Sequence, residues 1–230
     1  MPARRPNGNT ESVDNYLKAI LTLGGPEEHR VPSKALADQL GVAPASVTNM
    51  LQKLALAASP LVVYERHRGV TLSPTGKRRA LEVLRHHRLI ETFLYEVLDY
   101  PLEEVHDEAE RLEHFISERF EERIAAKLGH PRFDPHGHSI PTLEGEMPQQ
   151  RSIPLSEVST EGSFLIDSIS DHDARTLRLF KSCDITPGAR LRVKLNAKGK
   201  SYSVHVGRSS KALDLSRELA REIRILPASK

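Results

Sequence analysis

The 230 residues predict a mainly α-helical chain with a small β module at its C-terminal end. Three observations carry that prediction. Apolar residues recur at helical spacing from Ser12 to Phe120. Within that span, two short helical patterns joined by a Gly-containing turn precede an apolar hairpin. From Ile153 the pattern changes to short apolar runs bounded by turn formers, as strands require.

Composition narrows the class. Hydrophobic residues make up 38%, enough for more than one core, and no apolar run approaches membrane-spanning length. The start, Met-Pro-Ala-Arg-Arg-Pro, carries no apolar signal segment behind it, so a cytoplasmic protein without membrane contact is expected. A single cysteine, Cys183, excludes an intramolecular disulfide and argues against a cysteine-based zinc site. The net charge of +2 hides a partition. Residues 1–88 hold 13 Lys and Arg against 7 Asp and Glu, residues 89–150 hold 5 against 15, and residues 151–230 hold 15 against 9. A basic N-terminal third suits phosphate contact, and an acidic middle suits cations.

Residues 1–10 read as a flexible basic arm. From Ser12 a helix carries Val13, Tyr16, Leu17, Ile20 and Leu23 on one face and stops at Gly24-Gly25-Pro26. Ser33 opens a short helix, Lys34 to Leu40, ended by Gly41. Pro44 to Leu54 forms the next, giving a helix-turn-helix. On that second helix Val47, Met50, Leu51 and Leu54 face a core. Ser46, Thr48, Asn49, Gln52 and Lys53 lie on the other side, where short polar groups can reach base edges and phosphates. A merely solvated face is the alternative for an isolated helix. The next segment decides against it, because Leu61 to Leu72 is a hairpin whose tip carries Arg66 and Arg68, a wing. Residues 1–78 are therefore expected to be a winged helix-turn-helix DNA-binding domain.

Ser73-Pro74-Thr75-Gly76-Lys77 opens a long helix to about residue 98, with Ala80, Leu84, His87 and Glu91 near one register. Leu89, Ile90, Phe93, Leu94 and Val97 add apolar surface that one thin domain cannot bury, so dimerisation through these helices is expected. After Pro101 no Pro or Gly interrupts the run until Gly129. Val105, Ala109, Leu112, Ile116 and Phe120 form an expected buried stripe, with His106, Glu110, Glu113 and His114 beside it. Residues three and four apart on a helix stand over one another, so these groups converge. Imidazole with carboxylate is a ligand set for a divalent first-row metal, although a water-facing charged helix is the commoner use of such residues. His87 and Glu91 repeat the four-residue spacing on the preceding helix. Residues 129–150, with four prolines and three glycines, read as a linker or ordered loop, and His136-Gly137-His138 as its tip rather than a metal pair. Residues 79–150 thus form a helical metal-binding and dimerisation domain with its linker.

In residues 151–230 the expected strands are Phe164–Ile166, Arg190–Leu195, Tyr202–Val206 and Ile223–Leu226, with Leu177 to Phe180 and Leu213 to Ala220 helical.

The His-Asp-Glu-Ala-Glu-x-x-Glu-His run at 106 to 114, and His87-Arg88-Leu89-Ile90-Glu91 before it, closely resemble the metal-sensing segment of the diphtheria toxin repressor and manganese transport regulator family. The winged segment resembles that family in its spacing. The C-terminal module resembles, more loosely, the FeoA-like SH3-type barrel attached to many members. The resemblance implies a metal-activated regulator, a repressor of metal-uptake genes that binds a palindromic double-stranded operator as a homodimer. It implies two neighbouring metal sites per subunit. The primary site would use Glu110, Glu113 and His114 with a residue of the first helix, which falls at Asn15. Other members have a carboxylate or thioether there, and an amide adds no charge. Asp14 next to it is expected to point off the required face. The ancillary site would use His87, Glu91 and His106 with a carboxylate from the C-terminal module. The matching position is Asp173, with Asp171 and His172 as neighbouring alternatives. Glu110 stands where iron-responsive members have cysteine. A carboxylate is the harder donor, so Mn(II) is expected ahead of Fe(II). An iron-responsive regulator of the same family is the near alternative. Two readings from other classes are a dimetal carboxylate enzyme, since His and Glu on paired helices also build those, and a metal-independent DNA binder. The sequence offers the enzyme no evident substrate pocket, and the wing would then have no purpose.

Overall fold

The computed structural model describes residues 10–196, 201–207 and 212–228; the expected basic arm falls almost wholly outside them. Helix α1, Thr10–Gly24, buries Val13, Tyr16, Leu17 and Ile20. Helix α2, Ser33–Leu40, is closed by Gly41 in the left-handed conformation, φ 63°, its N–H returned to the Ala37 carbonyl. Helix α3, Pro44–Ala55, starts on a proline, whose missing N–H costs nothing in a first turn. Strands β1, Val62–Glu65, and β2, Gly69–Leu72, pair antiparallel from Val62↔Leu72 to Glu65↔Gly69, which is the expected wing. Leu17, Leu36, Val47, Leu51, Val62, Val70 and Ala80 share one core. Gly76 sits where the next helix leaves the wing: a Cβ there would lie 1.9 Å from the Leu61 carbonyl oxygen, so glycine permits the close approach.

Helix α4, Pro74–Leu98, runs 25 residues. The chain divides into two compact units, and α4 passes from one to the other after His87. The first unit holds residues 1–87, 112–117 and 141–148; the second holds 88–111, 118–140 and 149–230.

The uninterrupted helix expected after Pro101 is instead two, α5, Val105–Leu112, and α6, Glu118–Lys127. Glu113, His114 and Phe115 form a turn between them. The expected stripe is buried at Val105 and Ala109 but exposed at Leu112 (38%) and Phe120 (50%). No local breaker ends α5; the burial of the Glu113 carboxylate among cationic and imidazole partners from α1 and α4 is the tertiary cause.

In the second unit, strands β3, Ile153–Pro154; β4, Gly162–Ile169; β5, Arg190–Leu195; β6, Ser201–Val206; β7, Leu213–Ser216; and β8, Ile223–Pro227 form one antiparallel sheet, ordered β3-β8-β4-β5-β6-β7. Helices α7, Ala174–Ser182, and α8, Arg217–Arg221, supply Leu177, Phe180 and Ala220 to its core, beside Leu155, Ile166, Leu191, Val204 and Ile225. The helix expected over 213–220 is therefore half strand. Leu213-Asp214-Leu215-Ser216 alternates inward and outward and pairs with β6, and Ser216 then caps α8 by accepting the Leu219 N–H.

The Pro- and Gly-rich segment is ordered by its own hydrogen bonds. Asp134 Oδ1 accepts the backbone N–H groups of His136 and His138. The His136 carbonyl accepts the N–H of Ile169 on β4. Gly137, at φ 89°, sits against a bulge in β4: a Cβ there would meet the Asp167 carbonyl oxygen at 2.1 Å. His136 is fully buried, so the expectation of a loop tip is overturned.

Candidate metal centre and nucleic-acid interface

In the first unit the site is built around Glu113, whose side chain is wholly buried. Its two carboxylate oxygens accept Lys18 Nζ from α1, at 2.7 and 2.9 Å. His87 Nδ1, from α4, is 2.5 Å from Oε2, and His114 Nε2 is 3.4 Å from Oε1. Asp14, also wholly buried, accepts Arg79 Nε at 2.6 Å on Oδ1, and its Oδ2 is 3.7 Å from His114 Nδ1. Asp14 was expected to point away; with Arg79 balancing its charge, it faces His114 instead. Both ring nitrogens of His114, and Oδ1 of Asn15, are buried without a hydrogen-bond partner among the described residues. Buried polar atoms left in that condition are costly, and a cation or water is the usual remedy. Sequence reasoning missed Lys18, whose only signal was its four-residue spacing from Asp14. It also assigned His87 wholly to the ancillary set, whereas His87 contacts the Glu113 carboxylate.

In the second unit, His106 Nδ1 is 3.3 Å from Glu91 Oε1 and 3.7 Å from Asp171 Oδ2, and its Nε2 is 3.9 Å from Glu110 Oε1. One ligating atom each from Glu91, His106 and Asp171 lies within 4.8 Å of the others. His87 stands one turn before Glu91 on α4. The expected Asp173 is elsewhere. Its exposed carboxylate caps α7, accepting Arg175 N, Thr176 N and Thr176 Oγ1 at 3.2, 3.0 and 2.6 Å. An N-cap two residues into the chain's turn leaves Asp171 as the acid that reaches His106. His172 lies edge-on to His106, ring centroids 5.7 Å apart, with Nδ1 3.3 Å from Asp171 Oδ1.

The same unit holds Asp134, His136 and His138, again with ligating atoms within 4.8 Å; the sequence reading set the two histidines aside and missed Asp134. Asp134 Oδ2 lies 3.3 Å from His138 Nδ1, and His136 Nδ1 is buried without a hydrogen-bond partner among the described residues. His136 Nδ1 is 3.9 Å from Glu91 Oε1, and His138 Nδ1 is 3.6 Å from Asp171 Oδ2, so the trio adjoins the His106 cluster. The signal was present in Asp-Pro-His-Gly-His, a carboxylate two and four residues before two imidazoles.

Charge compensation tunes these groups. Burial alone would raise the Asp171 carboxyl; His138, then His106 and His172, outweigh that and the repulsion of Glu91, holding it at about 2. Burial pulls His138 down, but the charge and hydrogen bond of Asp134, with Asp171, lift it above its ordinary value against Arg88. Every group in these clusters offers nitrogen or oxygen, a donor set that fits divalent first-row cations.

The residues expected to face DNA divide by burial. Ser46, Asn49, Gln52, Lys53, Arg66 and Arg68 are exposed, while Val47, Leu51 and Leu54 enter the core. Thr48 is half-buried and returns its hydroxyl to the Pro44 carbonyl at 3.2 Å. Arg68 is 3.0 Å from Glu65 Oε2, and Glu65 also pairs with Arg30.

Fold and donor set together define a metal-binding winged helix-turn-helix protein. Residues 9–70 match the N-terminal DNA binding domain of the iron dependent repressors, residues 73–142 their metal binding and dimerisation domain, and residues 153–227 the FeoA domain. The iron-dependent repressor IdeR of Mycobacterium tuberculosis is 27% identical over 95% of this chain and 98% of its own length. The diphtheria toxin repressor of Corynebacterium jeikeium is 30% identical over 80% of this chain and 72% of its own. Among solved structures, a manganese-dependent transcriptional repressor in complex with manganese is 37% identical, with a TM-score of 0.87 over 94% of this chain and all of that one. ScaR with bound Zn2+ is 29% identical, with a TM-score of 0.79 over 94% and 99%. The chain belongs to the diphtheria toxin repressor family. It is a metal-dependent, DNA-binding transcriptional repressor and not an enzyme. Among the described residues, no helix is long and apolar enough to cross a membrane.

Proposed function

We propose that this repressor responds to Mn(II) in the cytoplasm and, as a homodimer, closes a palindromic operator upstream of metal-uptake genes. In this reading residues 1–78 read DNA, residues 79–150 hold metal and pair the subunits, and residues 151–230 contribute a ligand. The observation that carries it is the convergence of Lys18, His87 and His114 on the buried Glu113 carboxylate, because it ties α1 of the DNA-reading unit to the metal-binding turn. A dication held there would fasten α1, and binding free energy would appear as operator affinity, a coupling that must be reciprocal.

The primary set is Glu113 and His114, with Glu110 as a further carboxylate by family resemblance and the α1 oxygen from Asn15 or Asp14. The ancillary set is His87, Glu91, His106 and Asp171, Asp171 replacing the Asp173 of the sequence reading. Asp134, His136 and His138 are further donors for the second set. The metal would supply positive charge and fixed ligand geometry, and no reaction chemistry. Ser46, Thr48, Asn49, Gln52 and Lys53 would read the groove while Arg66 and Arg68 bind phosphate.

What supports manganese over iron is Glu110 in place of cysteine, donor sets of nitrogen and oxygen without sulfur, and the likeness to a manganese-dependent repressor. Iron is the second reading, favoured by the IdeR relatives. Operator binding measured with chelator, with Mn(II), and with Fe(II) under anaerobic conditions tests both. Equal affinity in all three would sink metal control altogether.

A further inference from the structure

Two buried acids in the first unit are each matched by a cation from a neighbouring element, Asp14 by Arg79 and Glu113 by Lys18. The second pair is the unusual one. Lys18 Nζ bonds both oxygens of Glu113, at 2.7 and 2.9 Å, and the lysine side chain is itself only 13% exposed. His87 Nδ1 adds a third hydrogen bond at 2.5 Å on Oε2. A carboxylate has about four lone-pair positions. Three hydrogen bonds therefore take up most of the capacity of the acid that the proposed primary site needs.

We propose that Lys18 is an internal competitor for this carboxylate and sets the metal concentration at which the site fills. The inference rests on the reading of Glu113 as a metal ligand and adds to it a residue that is not a ligand. Two physical terms act in the same direction. A dication taking Glu113 must displace or share charge-assisted hydrogen bonds, which are roughly twice as strong as neutral ones. It must also approach a fixed ammonium in a water-poor setting, where like charges repel strongly. Lys18 has little room to swing aside, because its side chain is only 13% exposed on α1, one turn beyond Asp14. Its charge thus subtracts from metal affinity while holding the turn at 113–115 in place.

The full chain with Lys18→Met tests this, using the EPR signal of free Mn(II) to measure binding directly and thermal melting in chelator to measure the fold. Lys18→Met should bind Mn(II) at least tenfold more tightly, melt lower in chelator, and gain more from added Mn(II) than the wild type. Lys18→Arg keeps the charge and should stay near wild-type affinity. Lys18→Gln keeps a donor of similar reach without the charge, and it decides the matter if Lys18→Met does not fold. Unchanged or weaker Mn(II) binding in a folded uncharged variant overturns the proposal and leaves Lys18 a purely structural contact. Glu113→Gln separates this from the parent reading: if that variant binds Mn(II) as the wild type does, Glu113 is no ligand, whatever Lys18 does.

Discussion

Asp171 Oδ2 stands 3.7 Å from His106 Nδ1, bringing an acid from the connection between β4 and α7 against the imidazole at the start of α5. Asp173, two residues on, is turned to a different task at the helix cap.

The two acids should therefore separate by substitution. Asp171→Ala should weaken Mn(II) binding about tenfold or more, the scale of losing a ligand or its immediate support. Asp173→Ala should leave Mn(II) affinity near wild type but lower the melting temperature, because α7 loses its cap. Binding titrations and melts on both variants check this; metal loss in Asp173→Ala alone would restore the sequence assignment. Hydrogen bonds from Thr176 and Arg175 depress the Asp173 carboxyl, so its contribution to stability is present above the ordinary carboxylate value of 3.8 and fades as pH falls through its lower folded value.

Glu113→Ala should abolish Mn(II)-dependent operator binding. It should also destabilise the metal-free protein, by ~3–5 kcal/mol, the scale of breaking a buried ion pair by removing one partner, because Lys18, only 13% exposed, loses both of its hydrogen bonds to Glu113. Net charge alone predicts the opposite sign, because residues 89–150 hold 15 Asp and Glu against 5 Lys and Arg and losing a carboxylate relieves repulsion. Denaturant melts in chelator decide between the two; a more stable Glu113→Ala would mean that Lys18 contributes little.

His138 gives the metal-free protein a pH dependence of known sign. Its folded value lies above the ordinary histidine value of 6.5, so the stability from its pairing with Asp134 and Asp171 is complete below 6.5. That stability is lost as pH rises through the folded value. Denaturation in chelator should show a falling limb on the alkaline side that His138→Gln flattens. An identical limb in the variant would remove His138 as its source.

Arg66→Ala and Arg68→Ala should each weaken binding to every DNA sequence and reduce the salt slope by about one phosphate contact. Asn49→Ala should instead relax preference at particular base pairs, by ~1–3 kcal/mol where it reads an edge. Binding to operator and scrambled duplexes across a salt series distinguishes them. Wing variants with an unchanged slope would leave the wing off the DNA.

Glu110→Cys should move the response toward Fe(II) or Co(II), the thiolate being softer than the carboxylate it replaces. Anaerobic competition titrations measure the ratio, and an unaltered ratio would show that residue 110 does not set metal identity.

The sequence was most legible where local chemistry and tertiary packing agree. Gly41, Pro44 and the apolar spacing of Val47, Leu51 and Leu54 marked the helix-turn-helix, and the alternation at Val62 to Leu72 marked the wing. It failed where tertiary contacts override local preference. In residues 105–128 Ser117, an N-cap type just before α6, is the one local hint of a second helix; the contacts that hold the turn at Glu113 come from Lys18 and His87, 95 and 26 residues away in sequence. Leu213 to Ser216 carries too short an alternation to be told from a helical turn without β6 beside it. His136 was misread for a similar reason. A Pro- and Gly-rich loop is ordinarily solvent-exposed, and only its seat on the β4 bulge reveals that the imidazole is buried.

The candidate clusters consist of imidazoles and carboxylates alone, and the chain's one thiol, Cys183, closes α7 outside them. Peroxide-type oxidants act on thiolates, through sulfenic acid and beyond, far more readily than on these donors. A sensor built this way keeps its ligand set chemically intact under oxidative stress, so its readings of metal supply are not confounded with redox state. Placing cysteine at position 110 would add an oxidisable ligand along with the softer one, and peroxide should then silence the variant while the wild type continues to respond.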